Sequence, residues 1–156
     1  MDAEALRAWE LMEKIGVCML VQTGEEIQAR PMYPHFRRAA GRIDFLTDVR
    51  RHTDRELQQD LPVCLAFSDP NVQRFVAVTG RAHLVDERSE IKALWSTPAK
   101  AWWEDPDDPN LRVLVVMPSA AEYWEGPGKL IEYVRMAAAA VVGRKPDPAE
   151  GIKVKL

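Results

Sequence analysis

The stretch Ile43 to Phe67, IDFLTDVRRHTDRELQQDLPVCLAF, decides how this chain is read. A short strand-like run ends on Thr47-Asp48, and a helix-like run carrying Arg50, Arg51, His52 and Arg55 follows at once. A second strand-like run, Val63 to Phe67, comes straight after. A strand that ends on a hydroxyl and opens into the first turn of a cationic helix can hold a phosphate. Backbone N–H groups at a helix start are free, the helix dipole favours an anion there, and arginine adds charge and forked hydrogen bonds. The plainer alternative is solvated charge on a short helix, with Thr47 an ordinary strand residue. Read functionally, an anion site flanked by two β runs points to a phosphorylated small molecule on a β scaffold.

Outward from this stretch, the pattern is mostly β. Upstream, Ala5, Leu6, Trp9, Leu11, Met12 and Ile15 recur at helical spacing, so a helix over 3–15 is predicted, capped by Asp2 and ended by Gly16. Val17 to Val21 reads as a strand and Thr23 to Glu26 as a hairpin turn. Ile27 to Phe36 is a second strand, but Pro31 and Pro34 exclude a regular central one and favour an edge or a bulge. Ile43 to Thr47 is the third strand, Thr53 to Asp60 a short helix, and Val63 to Ser68 the fourth strand. The fifth runs from Phe75 to Val85, with Gly80 a bulge or a point of close approach, and Arg88 to Trp95 is a helix. Leu111 to Met117 is the sixth strand, Ser119 to Trp124 leads out of it, and Lys129 to Val142 is a C-terminal helix. Gly143 to Glu150 reads as a linker, and the final IKVKL as either frayed or a partner-binding strand. Short strands joined by turns favour an antiparallel barrel or sandwich over a parallel sheet. Residues 1–143 form the predicted domain and 144–156 a tail.

Composition narrows the function. Hydrophobic residues make up 47% of the 156, enough to build a core. The net charge of −3 disfavours a nucleic-acid partner, so any basic site must be local. No run reaches the roughly 18 apolar residues of a membrane span. The acidic, amphipathic start is unlike a signal peptide, which predicts a cytoplasmic protein. Cys18 and Cys64 sit in apolar runs and read as small buried hydrophobes, with a disulfide or redox pair as the alternative. His35, His52 and His83 lie far apart, so no metal site is expected. No GxGxxG, GxxxxGK[ST] or GxSxG motif occurs. Arg30 has an exposed strand position as its plain reading. Trp102-Trp103 and Tyr123-Trp124 are aromatic pairs, read either as packing or as platforms for a flat ring.

Taken in order, these pieces resemble the pyridoxamine 5′-phosphate oxidase-like flavin-binding proteins, most closely their general stress protein branch. The segments that carry the resemblance are ARPM (29–32), IDFLT (43–47), RHTDREL (51–57), PVCLAF (62–67), FVAVTGRAHLV (75–85), WWEDPDDPNLRVLVVMP (102–118) and AEYW (121–124). The resemblance implies a mainly β fold: a six-stranded antiparallel split β-barrel of Greek-key type, with helices at both ends. It also implies a homodimer with FMN at the subunit interface. Matched residue by residue, Arg30 would reach the flavin phosphate, and Pro31 and Met32 would lend backbone along the ring edge. Leu46 and Thr47 would touch the ring and phosphate, and Arg51, His52 and Thr53 would hold the phosphate end. His52-Thr53 stands where relatives commonly carry a more basic pair, and Arg50 or Arg51 would have to compensate. Phe75 replaces a flavin-contacting glutamine, with Gln73 nearby. Trp124 matches a tryptophan supplied by the second subunit.

The oxidase proper carries an arginine–histidine substrate motif after that tryptophan, and GPGKLIEYVRM here lacks it. The expectation is therefore an FMN-binding stress-type flavoprotein, a flavin-dependent oxidoreductase using a reduced nicotinamide donor rather than a pyridoxamine phosphate oxidase. The alternatives are a non-catalytic flavin-sequestering protein, a relative that binds a deazaflavin or haem, and a scaffold without a ligand. An enzyme that relies on FMN need not display acid–base residues of its own, because the flavin carries the redox chemistry.

Overall fold

The computed structural model describes residues 1–23, 26–50, 60–126, 129–143 and 151–156. It contains the helices α1 (Ala3–Ile15), α2 (Arg88–Leu94) and α3 (Lys129–Val142). The strands are β1 (Cys18–Gln22), β2 (Gln28–Met32), β3 (His35–Arg37), β4 (Arg42–Asp48), β5 (Leu61–Asp69), β6 (Arg74–Val85), β7 (Leu111–Glu125) and β8 (Ile152–Lys155). The first helix is bounded as its sequence predicts. Asp2 accepts a hydrogen bond from the Ala5 N–H at 2.7 Å, and Gly16 closes the helix at φ 80°.

Every strand pairing is antiparallel, in the order β2-β1-β5-β6-β7-β4-β3, with β8 added to β7. Strands β2 and β3 therefore stand at opposite ends of the sheet. Only Tyr33 and Pro34 separate them in the chain, so Met32 and His35 lie within about 11 Å of each other. A sheet whose two edges are joined by so short a link must curl until they meet. They meet without pairing, which makes a split barrel. Its inner face holds Leu20, Phe45, Leu65, Phe67, Val78 and Leu114, and α1 lays Ala8, Trp9, Leu11 and Met12 against them. A second cluster, Ile91, Leu94, Leu111, Val113 and Val115, lies under α2, with Leu46 and Trp103 packed on it.

Among the described residues the strand count is eight rather than the expected six. The proline-interrupted run over 27–36 divides into β2 and β3, both at sheet edges, where a proline's missing N–H costs no ladder bond. The C-terminal IKVKL is neither frayed nor given to a partner. Its strand β8 pairs with residues Ala120–Tyr123 of its own chain, and Val154 and Leu156 pack on the core. The segments on either side of Pro118 form one 15-residue strand, β7. That strand tolerates an internal proline because the β6–β7 register shifts between Thr79 and Gly80, where Gly80 faces Pro118. The short helix expected over 53–60 falls almost entirely outside the described residues, as does most of the linker at 143–150.

Both cysteines are free, and burial pushes the Cys18 thiol up to about 12. Cys18 and Cys64 thus behave as small apolar residues. A Cβ at Gly80 would lie 2.5 Å from the Met117 carbonyl oxygen, a backbone atom with no rotamer to yield. We expect Gly80→Ala to cost about 1–3 kcal/mol, in the range of overpacked sites, read as a lowered urea midpoint. An unchanged midpoint would show that the bulge can slide.

Candidate functional site

Strand β4 carries two of the expected site residues. Thr47 is buried and pairs with Arg112, and Leu46 pairs with Val113 and packs into the cluster under α2. Strand β2 carries three more. Arg30 is half-buried opposite Leu20, with its Nε shielded from solvent. Pro31 is exposed opposite Met19, and Met32 is buried opposite Cys18 within the main core.

The two groups come together across the barrel seam. His35 pairs with Asp44 where β3 meets β4. Met32 stands three residues before His35, and Thr47 three residues after Asp44, so both lie within about 11 Å of that pair. Met32 and Thr47 therefore extend from the same end of the β3–β4 pair, and Arg30 lies two residues further back along β2. Arg51, His52 and Thr53 lie outside the described residues.

Trp124 is placed elsewhere. It pairs with Phe75 near the far end of β7, whereas Thr47 pairs with Arg112 at the near end. Twelve residues of strand span about 40 Å at full extension, so this strand does not carry its own Trp124 to its own Thr47. Phe75 is exposed beside Trp124. The nearby Gln73 adopts φ 53° and packs its side chain against Gly126, where a Cβ would lie 2.4 Å from its Oε1.

Asp48 is the site residue that sequence reasoning missed. Its carboxylate is buried and accepts hydrogen bonds from the Arg50 backbone N–H at 2.9 Å and the Arg50 Nε at 2.9 Å, with Nη2 closer still. The Trp103 indole Nε1–H adds a fourth, at 3.1 Å. The Val49 N–H also donates to the Asn110 carbonyl at 3.0 Å, so the loop over 102–110 is tied to the exit of β4. Arg50 is thus paired with Asp48, and its charge is largely spent before any anion arrives. The only sequence cue was an aspartate at a strand end two residues before an arginine, a pattern too common to single out. Trp103 is half-buried by this contact, while Trp102 stays exposed.

The other ionic cluster lies at the opposite end of β4. Asp44 is fully buried, with Arg42 Nη2 at 3.0 Å and Arg37 Nε at 3.5 Å, and Arg42 also reaches Glu90 at 2.9 Å. Burial raises the Asp44 carboxyl despite these arginines. Burial, followed by the charge of Arg37, holds His35 below its ordinary value. An open depression of about 410 Å³ lies here, lined by Arg37, Ala40, Arg42, Ser89, Glu90 and Ala93. None of the seam residues lines it, and its charges already cancel in pairs. Among the described residues, no group of three or more His, Cys, Asp and Glu side chains could hold a metal ion. No described helix is long and apolar enough to cross a membrane.

A curled antiparallel sheet with an open seam and terminal helices defines the class of split β-barrel proteins. Residues 3–147 match the model of the family described as pyridoxamine 5′-phosphate oxidase like. The chain belongs to that family. Among solved structures, it is similar to a general stress protein 26 from Jannaschia sp. CCS1, at 22% identity and a TM-score of 0.74, over 97% of each chain. It is similar to the general stress FMN/FAD binding protein from Xanthomonas citri, at 26% identity and a TM-score of 0.72, over 81% of this chain and 93% of that one. It also resembles a pyridoxamine 5′-phosphate oxidase-related, FMN binding protein from Nostoc punctiforme, at 14% identity and a TM-score of 0.57, over 98% and 95%. No curated protein sequence matches this chain significantly.

The hydrogen bonds from Arg50 pull the Asp48 carboxyl down to about 2 from 3.8, against the effect of its burial. A depressed value means that Asp48 stabilises the fold above the unfolded value and loses that contribution as pH falls through the folded one. Asp48→Asn should therefore cost about 1.5–3 kcal/mol at pH 7, as for a hydrogen bond to a charged group. The gap from wild type should close between about pH 4 and pH 2. Chemical denaturation at a series of pH values measures it; a gap independent of pH would discount the ion pair.

Proposed function

We propose that this chain is an FMN-binding flavoprotein that works as a homodimer, each of its two flavin sites built from both subunits. One observation carries the reading: Met32 and Thr47 each lie within about 11 Å of the His35–Asp44 pair, while Trp124 sits twelve residues along β7 from Arg112, the partner of Thr47. Such an arrangement makes two half-sites, which a second copy could complete. The names of the Xanthomonas citri and Nostoc punctiforme relatives, both flavin-binding, support the choice of ligand.

The residues at the seam suit a phosphate. A guanidinium whose Nε is shielded from water loses less to solvent competition when it meets an anion. The buried Thr47 hydroxyl suits a single directed hydrogen bond. In this reading Arg30, Thr47 and the segment over 51–53 hold the phosphate end. Pro31, Met32 and Leu46 line the ring, and the partner's Trp124 closes it. FMN bound there would supply the redox chemistry, as a flavin-dependent oxidoreductase taking electrons from a reduced nicotinamide. The chain's own residues bind, orient and exclude water.

The outer face of the sheet suits the dimer. Strand registers set Met19, Ala66 and Ala77 in one row across β1, β5 and β6, and Val21, Cys64 and Thr79 in the next. These are small or apolar side chains on a face that α1 does not cover, and Phe75 and Trp124 extend it. Such a face is the kind that protein–protein contacts bury.

An absorbance spectrum of the purified protein tests the ligand first. Flavin bands are expected, whereas a haem or deazaflavin spectrum would replace the reading. Arg30→Ala should weaken FMN binding by about 1.5–3 kcal/mol, roughly ten- to 150-fold, measured by flavin-fluorescence titration. Unchanged affinity removes Arg30 from the site. The shared site has its own test. Mixed dimers of Arg30→Ala and Trp124→Ala chains should regain one intact site of two, and no recovery would count against sites built from both subunits.

A further inference from the structure

The end of β7 is held from both faces. On the inner face, the Tyr123 hydroxyl makes a close hydrogen bond to Glu4 of α1, and Arg7 grips Glu125 with both Nε and Nη2, at 2.8 and 2.5 Å. On the outer face lie Glu122 and Trp124. Tyr123 pairs with Ile152, so the next step along the antiparallel pair sets Gly151 opposite Trp124.

A side chain at that position would have to displace its neighbours. A Cβ there would lie 2.3 Å from Glu122 Oε1 and 2.6 Å from Trp124 Cε2. An aromatic side chain laid across a glycine on a neighbouring strand shields the bare backbone and is itself fixed in place. Strand β8 is firmly anchored, with Val154 and Leu156 on the core and the Leu156 N–H donating to the Ser119 carbonyl at 3.1 Å. It follows the residues 3–147 that match the family.

We propose that Gly151, at the head of β8, is the positioning residue for the Trp124 indole, so that the C-terminal strand sets one wall of the flavin site. The last clause rests on the reading of Trp124 as a flavin contact given above.

The test uses the full chain and two variants. The first is Gly151→Ala. The second places Gly151→Ala in a Glu122→Ala background, which relieves the clash with the carboxylate and keeps the one with the indole. The first readout is the Trp124 emission of flavin-free protein, taken as the difference from the matching Trp124→Phe protein, because the chain has five tryptophans. The second is the dissociation constant for FMN. Both variants should shift the Trp124 emission to the red and weaken FMN binding about three- to tenfold, the scale of one aromatic contact. Gly151→Ala combined with Trp124→Phe should bind FMN no worse than Trp124→Phe alone, since the glycine acts through the indole. Unchanged Trp124 emission in both variants overturns the positioning role, whether or not flavin binds. A loss of FMN affinity that persists without the Trp124 side chain overturns it as well. Shifted emission, with Trp124→Phe binding FMN like wild type, upholds the anchoring of the indole and refutes Trp124 as a flavin contact.

Discussion

The two-residue link Tyr33-Pro34 is the constraint on which this structure turns. It joins strands at opposite edges of the sheet and so forces closure, while Pro34 offers no N–H for a hairpin and the edges do not pair. Aromatic packing holds the seam in place of ladder hydrogen bonds. Phe36 of β3 meets Trp9 of α1 edge-on at 6.4 Å, and Phe67 of β5 at 6.1 Å across the interior. Contacts of this kind add about 0.5–1.5 kcal/mol each beyond their burial. The seam therefore stays shut as a core but open as a backbone surface. Open backbone beside a shielded guanidinium is the feature on which the proposed ligand site rests.

The charges follow the same economy. The net charge is −3, and several arginines are committed within the fold: Arg50 to Asp48, Arg42 to Asp44 and Glu90, and Arg7 to Glu125. Each commitment fixes an element boundary. Arg50 sets the exit of β4, Arg42 ties β4 to α2, and Arg7 ties α1 to the end of β7.

Much of the fold was legible in order. Helix α1 and its Asp2 and Gly16 caps, the β runs, the edge character around Pro31 and the close approach at Gly80 were all signalled by local residue chemistry. The site residues on β2 and β4 were also legible as candidates, through their resemblance to a known family. The convergence of Arg50 and Trp103 on Asp48 was not, because the Asp48–Arg50 spacing is too common to single out and Trp103 lies 55 positions away. Nor was the unity of β7 across Pro118, since a proline argues against a central strand unless the partner strand supplies a bulge.

The sequence by itself determined the bounds of α1 and the presence of most of the β runs, because caps, prolines and alternation act within a few residues of chain. It also determined the family, because motif order survives without coordinates. Only the tertiary structure decided which ends meet. It linked Met32 and Thr47 through the β3–β4 pair, set Trp124 twelve residues along β7 from the partner of Thr47, and folded the C-terminal strand back so that Gly151 meets the indole. Those outcomes depend on sheet closure and register, which couple residues far apart in the chain and leave no periodic mark on it.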